Sequence, residues 1–390
     1  MSATTAEQGM IFTEEQQAFA EAIRDFARRE CGTHEQRQAL TDHGAEQHNQ
    51  QLYKQVAELG WAGVSLPEEY GGSGGGLVEQ CIFFGEVFRG LVPIAGAGSA
   101  HTVAGCYKRF GTEEQKRWAL GLISEGTVMA IGISEPEAGS DVGNIKCAAV
   151  KADGGWVING QKTWCSFAQH ADNILLIART SREESPHDGL TMLDVPTGAE
   201  GVEIRPIDTM GGKEVNDVFL GDVFVPNSAV VGEVGKAWRQ VMAGLNGERL
   251  VCAAQGVGMA ERTMSDLLAY VKERKQFGKP IGTFQALRHR IADLAIELEC
   301  SRLITYDIAA RVDSGRGSPQ ELAGLTSMAK VKVTETAKRI ALEGMQMMGG
   351  YGYATEYEME RHVRIALAPP IYAGTNEIQR EIIASSLGLR

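Results

Sequence analysis

The chain has 390 residues, 43% of them hydrophobic, which is enough for two or three structural units with a substantial core. Its formal net charge of −12 argues against a nucleic-acid partner, because phosphate binding needs a basic surface. No apolar run approaches the ~20 residues of a membrane span, and the N-terminus has no signal or transit pattern. We therefore expect a cytoplasmic protein without a membrane span, and the scattered cysteines and histidines do not indicate a metal.

The first part of the chain has the pattern of helices. Thr13 followed by Gln16 is typical of a capping box, and apolar residues then recur at helical spacing. Residues 51–59 and 78–88 have the same spacing, and a glycine-rich stretch precedes the second of them. Residues 1–127 are therefore predicted to form an N-terminal all-α domain.

The hydrophobic period changes after Thr127. Short runs rich in β-branched and aromatic residues are separated by Gly, Asp, Pro and Asn, which is typical of strands joined by turns. The pair Asn159-Gly160 is a turn signal of this kind. The spacing predicts six or seven antiparallel strands, and residues 128–237 are predicted to form a middle β-domain.

Trp238 restores the helical period, which continues to the C-terminus. Long helices are predicted over residues 238–271, 284–314 and 319–348, and a last helix is predicted after Thr375, which is placed as its cap. Residues 238–390 are therefore predicted to form a helical domain. An all-β segment between two helical ones, without βαβ alternation, excludes a doubly wound nucleotide-binding fold.

Six short motifs occur in one order along the chain, and together they resemble those of the acyl-CoA dehydrogenase family over essentially its whole length. They are PEEYGG at 67–72, ISEPEAGSD at 133–141, NGQKTW at 159–164, ERKQFGK at 273–279, QMMGGYGY at 346–353 and GTNEIQR at 374–380. The resemblance implies an α+β multidomain fold with an N-terminal helical domain, a middle antiparallel β-domain and a C-terminal four-helix bundle. It also implies an oxidoreductase that forms a homotetramer with non-covalent FAD.

The resemblance assigns part of the flavin site to the β-domain. Flavin chemistry needs hydrogen-bond donors at the edge of the ring and a dry aromatic wall. Ile131, Ile133 and Ser134 resemble the family's contacts on one side of the isoalloxazine, Trp164 its shielding aromatic, and Ser166 its hydroxyl near N5. Without the resemblance, Trp164 would be interpreted as a core residue and the two serines as turn residues.

The remaining flavin contacts implied by the resemblance lie in the helical domain. A guanidinium group suits a diphosphate, and the resemblance gives this role to Arg274 in an FAD molecule held mainly by a neighbouring subunit. Such a flavin would couple FAD retention to subunit assembly. The other residues assigned to this nucleotide site are Gln276, Phe277, Gln346, Gly350, Thr375 and Glu377.

The substrate contacts implied by the resemblance are Ser140 and Arg249, which would face the CoA moiety, and Tyr372, which would contact the acyl-CoA. Two alternatives stay open at this point. Arg249 can also be interpreted as a surface charge on a helix, and Ser140 as a local cap.

The family reaction needs a carboxylate against the α-carbon of the thioester. Many members supply it from a glutamate in the sequence I-Y-E-G-T, but the corresponding residue here is Ala373. Either the chain has lost proton abstraction or another helix supplies the base. Glu248, in GLNGERL, stands where the isovaleryl-CoA and long-chain branches carry their base, although an exposed helix glutamate is the alternative. The resemblance also gives the backbone N–H of Ala373 the task of polarising the thioester carbonyl.

The leading hypothesis is FAD-dependent oxidation of an acyl-CoA to the trans-2-enoyl-CoA. Glu248 would take the α-proton and flavin N5 the β-hydride, with an electron-transferring flavoprotein as electron acceptor. Because the base is on another helix, branched or bulky acyl chains are expected to be tolerated. The alternatives are a catalytically silent subunit of a mixed tetramer, which Ala373 favours, a dehydrogenase of carrier-protein-linked acyl groups, and an oxygen-using relative on the same fold.

Overall fold

The computed structural model describes residues 12–389, with the side chains of residues 243–245 excepted. The chain divides into two compact units. The first, which we call the helical unit, combines Met1–Arg37, Gly76–Val92 and Asn246–Arg390. The second, which we call the sheet unit, combines Gln38–Gly75 and Pro93–Leu245. The three domain ranges 1–127, 128–237 and 238–390 stay a prediction.

Helices occupy the two ends of the chain and strands its middle, which confirms the predicted fold class. The helices before the sheet are α1 (Glu14–Cys31), α2 (His34–Leu40), α3 (Gln50–Glu58), α4 (Leu77–Arg89), α5 (Gly96–Phe110) and α6 (Glu113–Ser124). The strands of the middle region are β1 (Met129–Gly132), β2 (Ala148–Ala152), β3 (Gly155–Ser166), β4 (Asn173–Arg179), β5 (Leu190–Pro196), β6 (Val202–Thr209), β7 (Gly212–Pro226) and β8 (Val230–Val231). The C-terminal elements are α7 (Ala237–Glu273), β9 (Lys275–Gln276), β10 (Lys279–Pro280), α8 (Gln285–Asp313), α9 (Pro319–Met348), α10 (Met359–Ala366) and α11 (Asn376–Ser386).

Capping signals in the sequence fix several of these helix ends. The hydroxyl of Thr13 accepts the N–H of Gln16 at 3.2 Å, and the Gln16 side chain accepts the N–H of Thr13 at 3.0 Å, so the predicted capping box is formed. The hydroxyl of Thr375 likewise accepts the N–H of Ile378 and caps α11. The short helix α10 was not predicted, because the residue before it, Glu358, has a left-handed backbone and makes no side-chain cap.

The sheet is mixed, in the order β6-β7-β3-β2-β4-β5-β8, with β1 beside β4. Most neighbouring strands are antiparallel, as the spacing predicts, but β1 runs parallel to β4 and pairs Met129 with Asn173. The hairpin of β2 and β3 lies between β1 and β4 in sequence, so β1 pairs with a strand that is not its neighbour along the chain. The local pattern of a strand does not specify such a distant partner.

Helices α5 and α6 pack with β1 around one core of the sheet unit. Tyr107, Leu120, Ile123 and Met129 are fully buried there. Burying a large aliphatic side chain contributes about 1.5–3 kcal/mol, so this core stabilises the packing of β1 against the two helices. The loop that follows β1 carries the ISEPEAGSD motif.

Helices α7, α8 and α9 share a second core, in the helical unit, to which Leu267, Leu294, Ile340 and Met359 contribute. Helix α11 packs along α9, and α10 packs against α9 as well. Long amphipathic helices of this kind obtain most of their stability from such packing. Among the described residues, no helix combines the length and the apolar character that crossing a bilayer requires.

A fully buried lysine on β3 holds the chain that follows β1. Lys162 Nζ donates to the carbonyl of Ile133 and to Glu135 Oε1, both at 2.8 Å. The Glu135 carboxylate also accepts the backbone N–H groups of Lys146 at 2.6 Å and Cys147 at 2.9 Å. Buried charges need this degree of pairing, and here the pairing sets the conformation of the loop.

Replacing Lys162 with methionine should destabilise the protein by about 3–5 kcal/mol, because the buried carboxylate of Glu135 loses its cation. The midpoint of thermal unfolding measures this loss. Lys146→Met is the matched control, because the Lys146 ion pair with Glu137 is exposed at both side chains and should leave the midpoint unchanged. Equal midpoints for the two variants would contradict the structural role of Lys162.

Candidate active site

Five predicted flavin contacts lie in the sheet unit, at the end of β1 and on β3. Ile131 belongs to β1, and Ile133 and Ser134 follow it directly. Trp164 and Ser166 belong to the last part of β3. The side chains of Ile131, Ser134 and Ser166 are half-buried, which leaves part of each surface available to a ligand.

The structure brings the β1 loop and β3 together through backbone contacts. The carbonyl of Ser134 accepts the N–H of Thr163 at 3.0 Å, one residue before Trp164. Lys162 holds the preceding carbonyl, that of Ile133. Ser140, the predicted CoA contact, lies farther along the loop in an exposed position and outside this hydrogen-bonded group.

Three of the predicted site residues have an unusual left-handed backbone. The φ angles of Trp164, Phe277 and Ala373 are 60°, 51° and 53°. Such a conformation at a residue other than glycine costs about 1–3 kcal/mol, and residues of this kind cluster at functional sites. Trp164 is also 58% exposed, which contradicts the alternative that it is a core residue.

The predicted base lies on α7 in the helical unit. Glu248 is half-buried, and burial of its carboxyl group raises its pKa to about 6, although the charges of Arg249 and Lys330 act in the opposite direction. A carboxyl group with this pKa is not an ordinary exposed helix glutamate. The environment of Glu248 therefore suits a group that exchanges protons near neutral pH.

Arg249, the next residue on α7, is only 5% exposed, so it is not a surface charge. Its Nη1 donates to the side chain of Asn246 at 2.9 Å, while its Nε has no partner among the described residues. Burial lowers its pKa, and the neighbouring Glu248 carboxylate opposes that effect. A buried guanidinium with an unused donor is able to bind a polar or anionic ligand.

The turn before α11 carries Tyr372 and Ala373, and the turn itself is tightly bent. Both Ala373 and Gly374 have left-handed backbones. Tyr372 lies within hydrogen-bonding reach of the Cys252 thiol, one helical turn after Glu248 on α7. The structure therefore brings the turn and the predicted base into one region of the helical unit.

A second buried lysine joins this turn to α9. Lys330 is fully buried, and its Nζ donates to the carbonyl of Gly374 and to the side-chain carbonyl of Asn376, both at 3.0 Å. Its charge also acts on the Glu248 carboxyl group. Lys330 thus interacts with the turn and with the predicted base at once.

The side chain of Gln379 completes the support of the turn. Its Nε2 donates to the carbonyls of Ala373 and Gly374, both at 3.1 Å, and its Oε1 accepts the hydroxyl of Ser327 on α9 at 2.8 Å. The N–H of Ala373, by contrast, donates to no acceptor within the described part of the chain. A fixed and unpaired N–H of this kind is what an oxyanion-binding donor requires.

A separate group of predicted flavin contacts lies around the β9–β10 hairpin. The guanidinium of Arg274 is 5.0 Å from the centre of the Tyr351 ring, beside Gly350 at the end of α9. Phe277 is 93% exposed and touches the ring of Phe284 edge-on. Gln276 lies in β9 of the same hairpin, Gln346 is exposed in the last turn of α9, and Gly350 is exposed just after that helix.

Two groups of predicted site residues in the helical unit are far apart: the group around Lys330 and the turn, and the group around Arg274 and the β9–β10 hairpin. Lys330 and Gln346 both lie on α9 and are 16 residues apart, from 330 to 346. At the rise of an α-helix this separation corresponds to about 24 Å along the helix axis. Thr375 and Glu377, at the start of α11, belong to the Lys330 end. The predicted nucleotide contacts of one chain are therefore not all in one place.

Sequence reasoning missed the residues that support the turn, chiefly Lys330, Asn376 and Gln379. The spacing of residues along α9 contains a signal that could have identified Lys330. Lys330 falls on the same helical stripe as Ser327 and Thr334, and this stripe is buried. A lysine on a buried stripe needs partners, and the search for them would have pointed to the polar start of α11.

Comparison with known protein families finds three matching domains, which follow the order of the helical, strand-rich and helical regions of this chain. The acyl-CoA dehydrogenase N-terminal domain matches residues 13–127, the middle domain matches residues 130–223, and the C-terminal domain matches residues 235–388. Isovaleryl-CoA dehydrogenase of Solanum tuberosum is 35% identical over 385 residues, which cover 97% of this chain and 92% of that protein.

Solved structures give the same result. The acyl-CoA dehydrogenase of Geobacillus kaustophilus superposes with a TM-score of 0.90 at 32% identity, over 97% of this chain and 100% of that one. A chain in the structure of the electron transferring flavoprotein of Acidaminococcus fermentans has a TM-score of 0.89 at 29% identity, over 97% and 99% of the two chains. Because all three domains match in order and the likeness extends over nearly the whole chain, this protein is an oxidoreductase of the acyl-CoA dehydrogenase family.

Proposed function

We propose that the protein oxidises the Cα–Cβ bond of an acyl-CoA thioester to the trans-2-enoyl-CoA, with Glu248 as the base and FAD as the cofactor. Family membership supports the reaction class. The observation that carries the mechanism is the double interaction of Lys330, whose charge acts on Glu248 and whose N–H group donates to the carbonyl of Gly374. This one side chain links the proposed base to the turn that bears Ala373.

The base must be ionised at the working pH and still basic enough to take an α-proton. A pKa of about 6 for Glu248 meets both conditions, because a general base is most effective when its pKa lies near the operating pH. Ala373 itself has no group that accepts a proton. Glu248 therefore takes the part that a glutamate in the turn plays in other members.

The carbonyl oxygen of the thioester becomes more negative as the α-proton leaves. A backbone N–H with a fixed direction stabilises such charge and does not depend on the side chain. The N–H of Ala373 meets these conditions, since Gln379 holds the carbonyls of the turn and no described acceptor uses the N–H. The alanine therefore keeps a role in catalysis through its backbone.

Each unit, taken by itself, has residues whose chemistry suits one part of a flavin dinucleotide. The sheet unit offers the exposed ring of Trp164 and the half-buried hydroxyls of Ser134 and Ser166. The helical unit offers Arg274, a cation suited to a diphosphate, and the exposed ring of Phe277. FAD, when bound, supplies an acceptor for the β-hydrogen and its electron pair, while the α-proton passes to Glu248.

The assembly proposed for the protein is a homotetramer. The separation of about 24 Å along α9 between the Lys330 group and the Arg274 group supports a flavin that touches two chains, because one group then serves the chain's own flavin and the other a neighbour's. Likeness to a chain from an electron transferring flavoprotein structure supports such a flavoprotein as the electron acceptor. The cytoplasmic location stays a prediction.

The substrate proposed is an acyl-CoA with a branched or bulky acyl chain. Likeness to isovaleryl-CoA dehydrogenase supports it, as does the small side chain of Ala373 in the turn. A panel of straight-chain and branched acyl-CoA thioesters with a dye electron acceptor tests the proposal. A chain expressed alone without flavin and without a self-tetramer would favour the silent-subunit alternative.

Glu248→Gln should slow the reduction of the flavin by about 10²–10⁴-fold, because the amide does not accept the α-proton. The measurement is anaerobic mixing of the purified holoenzyme with its thioester, followed by flavin absorbance. Glu299→Gln, an exposed change on α8, is the control and should leave the rate unchanged. Reduction by Glu248→Gln within about tenfold of the wild-type rate would overturn the assignment of the base.

The value of kcat/KM should fall about tenfold per pH unit below about pH 6 and level off above it. The carboxylate of Glu248 is the active form, and its fraction decreases as the pH falls through its pKa of about 6. Thermal unfolding over the same pH range serves as the control for acid denaturation. A profile that stays flat down to pH 4.5, or an identical acid limb in Glu248→Gln, would contradict this prediction.

A further inference from the structure

We propose that Lys330 is a positioning residue of the reaction: its bonds to Gly374 and Asn376 orient the turn that carries the Ala373 N–H, and its charge favours the ionised form of Glu248. The inference rests on the proposed function and deepens it. Lys330 lies outside all six sequence motifs, so its role follows from the contacts of the folded chain alone.

The first argument is the kind of partner that Lys330 has. A fully buried lysine is costly unless its charge is compensated. Lys162, the fully buried lysine of the sheet unit, is compensated by direct bonding to the Glu135 carboxylate. Lys330 instead bonds two neutral carbonyl groups, so its charge stays available to the acidic groups around it, Glu248 and Glu377.

The second argument is the conformation of the turn. Ala373 and Gly374 are both left-handed, and the alanine backbone alone costs about 1–3 kcal/mol in such a conformation. Strain of this size persists only where surrounding contacts fix it. Two side chains bond the carbonyl of Gly374, Lys330 from α9 and Gln379 from α11. These bonds orient the turn and therefore the direction of the Ala373 N–H.

The third argument is electrostatic. The charges that act on Glu248 are those of Arg249 from its own helix and Lys330 from α9. The Cys252 thiol, one turn farther along α7, interacts with Glu248 and with Tyr372 of the turn. Burial raises the pKa of Glu248, whereas the charges of Arg249 and Lys330 lower it. Without the charge of Lys330 the pKa of Glu248 must therefore rise, and a larger share of the base is protonated at neutral pH.

The test uses Lys330→Met in the full-length holoenzyme, because methionine keeps much of the length of the side chain and removes its charge and donors. We expect kcat to fall by about 10–100-fold with a change in KM of less than about threefold, since the turn acts mainly on the developing charge of the transition state. The acid limb of kcat/KM should move to higher pH. Lys338→Met, an exposed change on the same helix, should alter none of these quantities.

A readout independent of catalysis is backbone hydrogen exchange of the peptides that cover residues 368–380. Exchange there should be faster in Lys330→Met than in the wild type and unchanged in Lys338→Met. Unchanged exchange together with an unchanged acid limb would overturn the proposal. If no thioester reduces the wild-type flavin, the proposed function fails, while the exchange measurement still decides whether Lys330 holds the turn.

The variant Asn376→Asp separates the two effects of Lys330, its hold on the turn and its charge near Glu248. It also replaces Lys330→Met as the test if that variant does not fold. The aspartate still accepts the Lys330 N–H, which keeps the turn in place, but it compensates the charge that otherwise acts on Glu248. We expect exchange of residues 368–380 to match the wild type while the acid limb moves to higher pH. An acid limb at the wild-type position would overturn the electrostatic part of the proposal.

Discussion

The arrangement around the turn of the helical unit depends on a cation placed where water does not reach it. The ammonium group of Lys330 bonds the carbonyl of Gly374 and the side chain of Asn376, and its field reaches the carboxyl group of Glu248. At low dielectric these interactions are stronger than on the surface. Helix α9, which carries Lys330, therefore connects two segments that are distant in sequence, α7 with the proposed base and the turn before α11.

Each unit uses a fully buried lysine to hold a loop, but the two lysines have different partners. Lys162 is bonded to a carboxylate, so its charge is locally neutralised and its effect is on the conformation of the loop after β1. Lys330 donates hydrogen bonds only to neutral groups among the described residues. It therefore affects both the conformation of the turn before α11 and the electrostatic potential around it. The sequence does not distinguish the two types, because the partner that each lysine meets depends on the folded chain.

The sequence predicts the fold class and most element positions, because hydrophobic period and caps such as Thr13 and Thr375 act locally. The parallel pairing of β1 with β4 and the short helix α10 depend on contacts between distant segments and are not visible in local patterns. Glu248 was located by comparison with a family motif, not by its spacing. Its raised pKa and the buried state of Arg249 depend on burial in the folded chain, which no local pattern specifies.

The left-handed backbone of Ala373 limits which residues evolution or design can place there. Glycine adopts this conformation freely, asparagine and aspartate tolerate it, and β-branched residues rarely occupy it. Because only the backbone N–H is given a role in the proposed reaction, the side chain can vary among the residues that tolerate this backbone conformation. Under the proposed function, substitutions at position 373 therefore offer a way to change the shape of the acyl pocket while the proposed proton acceptor stays on α7.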